Sequence, residues 1–503
     1  MGRLLLGLDV GTSGVKAGVF DLEGRLRGLG RSSHENDTPQ PGWVQCDPET
    51  WWAGCLDALG QACAEAGAAT ADISAVGVST QFPVLVAMDE AGRAVHPAIL
   101  YCDRRSIRQM EAIDRAVPRD EFERFYGNVL TPGTCAVTSL VWLRDEEPKA
   151  YGKAHCFGFA NTFVTRRLTG RFAADPSMAS LSGMVEVNDP WQWAGEFCDR
   201  LGVDASRLPA IVGADRIVGG VSEAAAAQTG LAAGTPVVCG CGDVVASAVG
   251  VGAVDASTLV CVAGSTDCFA MPMSAPTEDR RWLNTAYVPR GAWIAIGTMT
   301  STGVSVEWFT RELLAGGGAE RMTELAADSA PGAGGVIYLP YLQGERSPIW
   351  DASARGMFFG LSTETALGDL ARSVFEGTAF GLRQVLESLE EMIGRQVGEI
   401  RLVGGATRNA FWNQVKSDVL QKPLAILEFQ ETSSLGAALL AGVGAGFYDS
   451  FEAAAAVARS SCRVEVVEPN ARMAQDYGRL YDVYCRLYPA TRDLAHRMAG
   501  EQV

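Results

Sequence analysis

The chain has 503 residues, with 59 acidic against 42 basic side chains and a formal net charge of -17. That length exceeds what one hydrophobic core supports, so two domains are expected. So acidic a surface repels nucleic acid and anionic membrane, which excludes both as partners. The composition, 48% hydrophobic with 57 glycines, is that of a large soluble α/β enzyme. No apolar run is long enough to span a bilayer, and no leader of the secretory type precedes the first strand. The 13 cysteines are scattered, as expected of free thiols in a reducing cytoplasm. Cys239 and Cys241 are the closest pair; they are either buried core thiols or a weak metal or redox site. The four histidines lack metal-ligand spacing.

In chain order, apolar runs from Leu4 to Val10 and from Val15 to Phe20 flank Gly11-Thr12-Ser13-Gly14, which predicts a β-hairpin. Its turn can aim the N–H groups of Gly11, Thr12 and Ser13 at one anion, with Lys16 adding positive charge. Asp9 ends the first strand, where a carboxylate beside a phosphate makes sense with Mg²⁺ between them. Asp47-Pro48-Glu49 has the cap, N1 proline and first-turn acid of a helix start, and Trp51, Cys55, Leu59 and Cys63 mark that helix's buried stripe. Ile73 to Asp89 reads as strand, turn, strand, the turn carrying Gln81, Phe82 and Pro83. Tyr101, Asp103, Arg104 and Arg105 come next; Asp103 can accept two hydroxyls, and an arginine can pair with a carboxylate or cap a helix. Asp175 opens the segment Asp175-Pro176-Ser177-Met178.

Val237 to Gly242 is a strand running into Asp243, which opens a helix of small residues. Asp243 can be a general base favoured by the helix dipole, or a simple helix cap. A second hairpin is predicted where Leu259 to Ala263 meets Gly264-Ser265-Thr266 and a further apolar run. Its likeness to the first suggests internal duplication and a triphosphate gripped by both turns. Then come Gly297 to Phe309, a small-residue loop entering a helix; Tyr338 to Pro348, where Glu345 and Arg346 read as a structural ion pair; and Ile400 to Asn409, strand, Gly-Gly turn, helix. The tail from Met473 to Met498 reads as a peripheral helix.

These residues resemble the FGGY carbohydrate kinases. The most specific match is Gly356 to Leu361 followed by Asp369 to Glu376, and the resemblance runs over nearly the whole chain. It implies the actin, sugar kinase and heat-shock ATPase fold: two ribonuclease H-like α/β domains around a nucleotide cleft. Residues 1–250 would bind sugar, 251–445 nucleotide, and 446–503 would form a helical extension. The resemblance assigns Asp243 as catalytic base, Gln81, Phe82, Tyr101, Asp103, Asp175 and Asp243 to the sugar, and Asp9 to Mg²⁺. ATP would take Gly11, Thr12, Ser13, Lys16, Gly264, Ser265, Thr266, Gly303, Glu307, Gly405, Ala406 and Asn409. It implies a cytoplasmic kinase for D-xylulose or a related pentulose, with a homodimer compatible with the family and the oligomeric state not readable from the sequence. Another polyol, a deoxy-pentulose, an aldonate, or a non-catalytic sensor are the alternatives. The chain departs from the family at Gln45, Cys46, Phe82, Pro83, Ser139, Met178 and Val244. Apolar Phe82, Pro83 and Val244 replace polar groups, so a substrate less hydroxylated at one end is expected, unless Phe82 and Pro83 merely close their turn.

Overall fold

The computed structural model describes residues 3–314 and 317–500; the outermost residues of the expected first and last domains lie outside that range. The chain forms two compact units that are not successive blocks of sequence. One takes the residues up to Ala256 with Pro272–Ala295 and Glu431–Cys462; the other takes Ser257–Met271, Ile296–Gln430 and the residues from Arg463.

In the first unit, strands Leu4–Val10 and Gly14–Phe20 pair antiparallel, and Leu4–Val10 pairs parallel with Ile73–Thr80. Pro236–Val238 and Cys241–Gly242 extend the sheet beside Ile73–Thr80, and Leu26–Ser33 extends it on the other side. One face carries Leu6, Leu8, Val10, Val76 and Val78 against Trp51, Cys55, Leu59 and Cys63 of helix Pro48–Ala66. That helix starts as its sequence dictates: the Asp47 side chain accepts from Glu49 N–H, Pro48 follows, and Gly67 closes it in the left-handed region.

The other face admits a helix at backbone contact. A Cβ on Gly7 or Gly77 would lie 1.8 Å from the carbonyl oxygen of Ser434 or Ala437, so only glycine lets helix Thr432–Gly444 seat there. This close seating is why Glu431–Cys462, which spans the expected domain boundary between 445 and 446, packs in the first unit.

The second unit repeats the plan. Leu259–Ala263 pairs antiparallel with Asp267–Met273 and parallel with Ile400–Val403, which pairs parallel with Leu424–Leu427. Val464–Val467 adds an antiparallel edge. The C-terminal helix Ala474–Gly500 is not peripheral as expected. Tyr477, Tyr481, Tyr484 and Leu487 are buried in the cluster that holds Phe375, Phe380 and Trp412, and the Tyr477 hydroxyl donates to Glu376 at 2.9 Å. Among the described residues no helix is long and apolar enough to cross a membrane.

Candidate active site

Register brings the chemistry of the first unit to one edge of its sheet. Asp9 lies opposite both Lys16 and Ser79, and Ser79 and Thr80 lie opposite Cys241 and Gly242. The carboxyl ends of three neighbouring parallel strands therefore emerge together, and ligands of open α/β sheets bind at such ends. The strands lead directly into Gly11-Thr12-Ser13, Gln81-Phe82 and Asp243.

The first turn departs from expectation in one group. Gly11 N–H closes the hairpin on Gly14 C=O at 2.9 Å, so it cannot also point at a phosphate. The N–H groups of Thr12 and Ser13 have no partner among the described residues and remain as donors. Asp9 is buried; Ser79 donates to its Oδ1 at 2.9 Å, and Oδ2 has no hydrogen-bond partner among the described residues. Burial raises its pKa first, the Lys16 charge opposing. A lone buried carboxylate with a free oxygen beside a phosphate turn fits Mg²⁺, which keeps several waters and binds through one or two carboxylates plus phosphate. Among the described residues no three His, Cys, Asp or Glu side chains form a metal cluster, so no all-protein cage for a metal exists there.

Asp243 is the first residue of helix Asp243–Val251, capped by the backbone of Gly242 without a side-chain bond, so it is not the N-cap. It is half-buried, and Val244 N–H donates to its Oδ1 at 2.8 Å. Its pKa is pushed up from 3.8 to about 7, by burial first and by the charge of Asp9 second, with Val244 N–H and Lys16 opposing. A carboxyl poised near neutrality on a reachable edge suits proton abstraction.

The acceptor-side residues divide. Gln81 is fully buried, and neither amide atom has a partner among the described residues. The Phe82 ring lies over Gly242, where a Cβ would come within 2.6 Å of it, and packs with Ala136, Phe159, Ala174 and Met178. Tyr101 lies half-buried, its hydroxyl 3.5 Å from Thr12 Oγ1.

Asp103 and Asp175, expected on the sugar, are held by the protein itself. Asp103 is 0% exposed and accepts from Val44 N–H at 2.5 Å and from Arg105 N–H and Nε at 2.8 and 2.9 Å. The Arg105 guanidinium lies 4.0 and 4.9 Å from the rings of Trp43 and Trp142. Asp175 caps helix Pro176–Ser180 by accepting from Ser177 N–H at 2.8 Å, and it also accepts from Asn161 at 3.2 Å. Burial raises its pKa to about 6. The Ser177 hydroxyl accepts from Gly242 N–H at 3.1 Å, so Asp175 supports the turn before Asp243.

In the second unit, Gly264 N–H donates to Thr266 C=O at 2.9 Å, leaving the N–H groups of Ser265 and Thr266 without partners among the described residues. Two further elements crowd that turn. A Cβ on Gly303, which opens helix Gly303–Leu313, would meet Gly264 C=O at 2.3 Å, and a Cβ on Gly404 would meet Ala263 C=O at 2.3 Å. Gly405 is exposed beside it, with Ala406 half-buried. Asn409 caps helix Ala410–Leu420, accepting from Trp412 N–H at 3.0 Å and donating to Thr323 at 2.9 Å. Its amide is therefore occupied at both ends. Glu307 is exposed on the Gly303 helix. Glu345 makes no ion pair with Arg346; it accepts the N–H groups of Arg346 at 2.8 Å and Thr300 at 2.6 Å, and burial raises its pKa to about 7.

Three residues escaped the sequence reading. Glu431 pairs with Lys16 at 2.9 Å and Arg31 at 2.6 Å. Lys416 pairs with Asp267 at 2.5 Å, both buried. Gln430 accepts from Gly404 N–H at 2.7 Å and from Thr407 at 3.0 Å. The available signal was an acid directly before the small-residue run Thr432-Ser433-Ser434-Leu435-Gly436.

Two units of this topology, each with a phosphate-type turn at the end of its first strand, define the fold of sugar kinases and actin-like ATPases. The N-terminal domain model of the FGGY family of carbohydrate kinases matches residues 4–250 and the C-terminal model matches 259–445. The chain belongs to the FGGY family of carbohydrate kinases. It is 32% identical to a glycerol kinase of Trichlorobacter lovleyi over 88% of this chain and 90% of that one. It is 25% identical to a xylulose kinase of Bacillus subtilis over 98% of both. The crystal structure of xylulose kinase from Rhodospirillum rubrum superposes with a TM-score of 0.87 at 26% identity, covering 98% of this chain and 100% of that one.

Proposed function

We propose that this carbohydrate kinase transfers the γ-phosphoryl group of ATP to a primary hydroxyl of D-xylulose or a related pentulose. The observation that carries the reading is Asp243: a reachable carboxyl with a pKa of about 7, level in register with the first turn and separated from it by the one strand Ile73–Thr80. Asp243 accepts the proton of the acceptor hydroxyl as its oxygen attacks phosphorus in line. The Val244 N–H holds the carboxylate in place. In the first unit Thr12 and Ser13 N–H bind phosphate oxygens, with Lys16 adding charge; in the second, Ser265 and Thr266 N–H are phosphate donors of the same kind. Gly303 and Glu307 line the nucleotide's phosphate end, and Gly405, Ala406 and the Asn409 segment its adenine. Positioning and electrostatics supply most of the acceleration in such transfers. Asp9 would hold Mg²⁺, which when bound neutralises charge on the phosphates.

A second reading of the acceptor rests on Phe82. Its ring covers Gly242 beside the base, and Asp103 and Asp175 are committed internally. An acceptor hydroxyl buried against that ring would lose about 1–3 kcal/mol, which favours a deoxy-pentulose. Coupled ADP-release assays over pentuloses, 1-deoxy-pentuloses, pentitols, glycerol and aldonates test both. D-Xylulose preferred over its 1-deoxy analogue supports the first reading against the second. Preference for glycerol or an aldonate overturns both, and ADP release without acceptor dependence removes the kinase reading.

A further inference from the structure

Glu431 is assigned to neither nucleotide nor acceptor, yet it is one of the most constrained side chains near the first turn. It is buried, and its two oxygens are divided between two cations: Oε2 to Lys16 at 2.9 Å and Oε1 to Arg31 at 2.6 Å. Lys16 in turn has a second carboxylate opposite it across the hairpin, Asp9. Its ammonium, 43% exposed, is thus set between two acids, one that pairs with it and one that faces the metal position.

The main chain around Glu431 is fixed from both sides. Gln430 immediately before it is tied to Gly404 N–H and the Thr407 hydroxyl. Ser433 after it shares a 2.7 Å hydrogen bond with Ser247 on the helix that Asp243 opens. Gly436 and Gly250 lock the same two helices together: a Cβ on either would lie 1.9 to 2.0 Å from a carbonyl oxygen of the other helix. A carboxylate held this rigidly sets where a flexible lysine can go.

We propose that Glu431 is a positioning residue for phosphoryl transfer, holding the Lys16 ammonium away from Asp9 and presenting it to the phosphate bound at the first turn. This rests on the reading of that turn as a nucleotide site. Without the Glu431 charge, Lys16 folds back onto Asp9, and both the lysine and the carboxylate are withdrawn from the nucleotide.

The test is Glu431→Gln, which keeps size and one acceptor oxygen. KM for ATP should rise roughly ten-fold and ADP affinity should fall in step, as for loss of one charge-assisted contact, while KM for the acceptor stays within two-fold. In a double-mutant cycle, Lys16→Met with Glu431→Gln should be no worse than Lys16→Met alone, because both act through one ammonium. Unchanged ADP affinity and ATP KM in folded E431Q, or effects that simply add in the cycle, would overturn the proposal. If E431Q does not fold, Glu431→Asp, which retains the charge but withdraws it by one methylene, is read by the same measurements. Failure of the underlying reading is distinct: the wild-type chain itself would then not bind ADP.

Discussion

The two glycine turns differ in length, four residues against three, and in how their charges are connected. Both close on their glycine N–H and leave the next two N–H groups open. At the first, the carboxylate precedes the turn, and its cross-strand lysine is 43% exposed and answers to Glu431. At the second, Asp267 follows the turn and pairs with Lys416 at 2.5 Å, the two side chains 0% and 1% exposed, with Thr302 donating at 3.1 Å. One turn carries charges that can reach a ligand; the other carries charges fastened into its own core. The same fold element thus carries a partly exposed lysine in one unit and a fully buried ion pair in the other.

That difference can be broken at several points. The largest effect belongs to the first unit. Asp243→Ala should lower turnover by about 10²–10⁴ with ADP affinity unchanged, and turnover within a factor of two would remove Asp243 as base. Next, Asp267→Ala strands a buried ammonium and should destabilise the protein by about 3–5 kcal/mol in denaturant titration. Lys16→Met, which removes a lysine 43% exposed and leaves Glu431 paired with Arg31, should cost under about 1 kcal/mol; similar losses from the two would erase the contrast. Gly303→Ala drives a methyl into Gly264 C=O and should cost about 1–3 kcal/mol, with ATP KM raised and acceptor KM unchanged.

Asp243 also sets a pH dependence. As a base it must be ionised, so kcat/KM should fall as pH drops below about 7. Its folded-state pKa lies above the ordinary 3.8, so its contribution to stability is full below that value and is lost as pH rises to about 7. Asp243→Asn should therefore raise Tm at pH 8 while abolishing turnover; an unchanged or lowered Tm would contradict the placement of the carboxyl. The smallest effect is at Gln81, whose amide has no internal partner. Gln81→Met should leave stability within about 1 kcal/mol or improve it, yet raise the acceptor KM, since the amide's partners arrive with the substrate.

Much of this was legible in the sequence, and what was missed has a common physical cause. The hairpins, the helix at Pro48 and the strand before Asp243 announce themselves through local alternation, caps and glycines. The two turns could be matched because their residues are contiguous. Glu431 and Lys416 could not be found that way, because their partners lie 415 and 149 positions away and only the fold joins them. The same limit hides the internal partners of Asp103 and Asp175. A carboxylate beside arginine or serine looks available in one dimension, and only packing shows that Arg105 and the Ser177 N–H already occupy it. The seating of helix Thr432–Gly444 was hidden likewise, because Gly7 and Gly77 admit it onto the first sheet from more than 350 residues away.

The most direct test is amide hydrogen exchange at four positions, Thr12, Ser13, Ser265 and Thr266, with and without Mg²⁺·ADP. Having no partners among the described residues, these N–H groups should exchange quickly in the free protein, and nucleotide should slow their exchange in each unit. Protection at neither turn would contradict the reading of these N–H groups as phosphate donors.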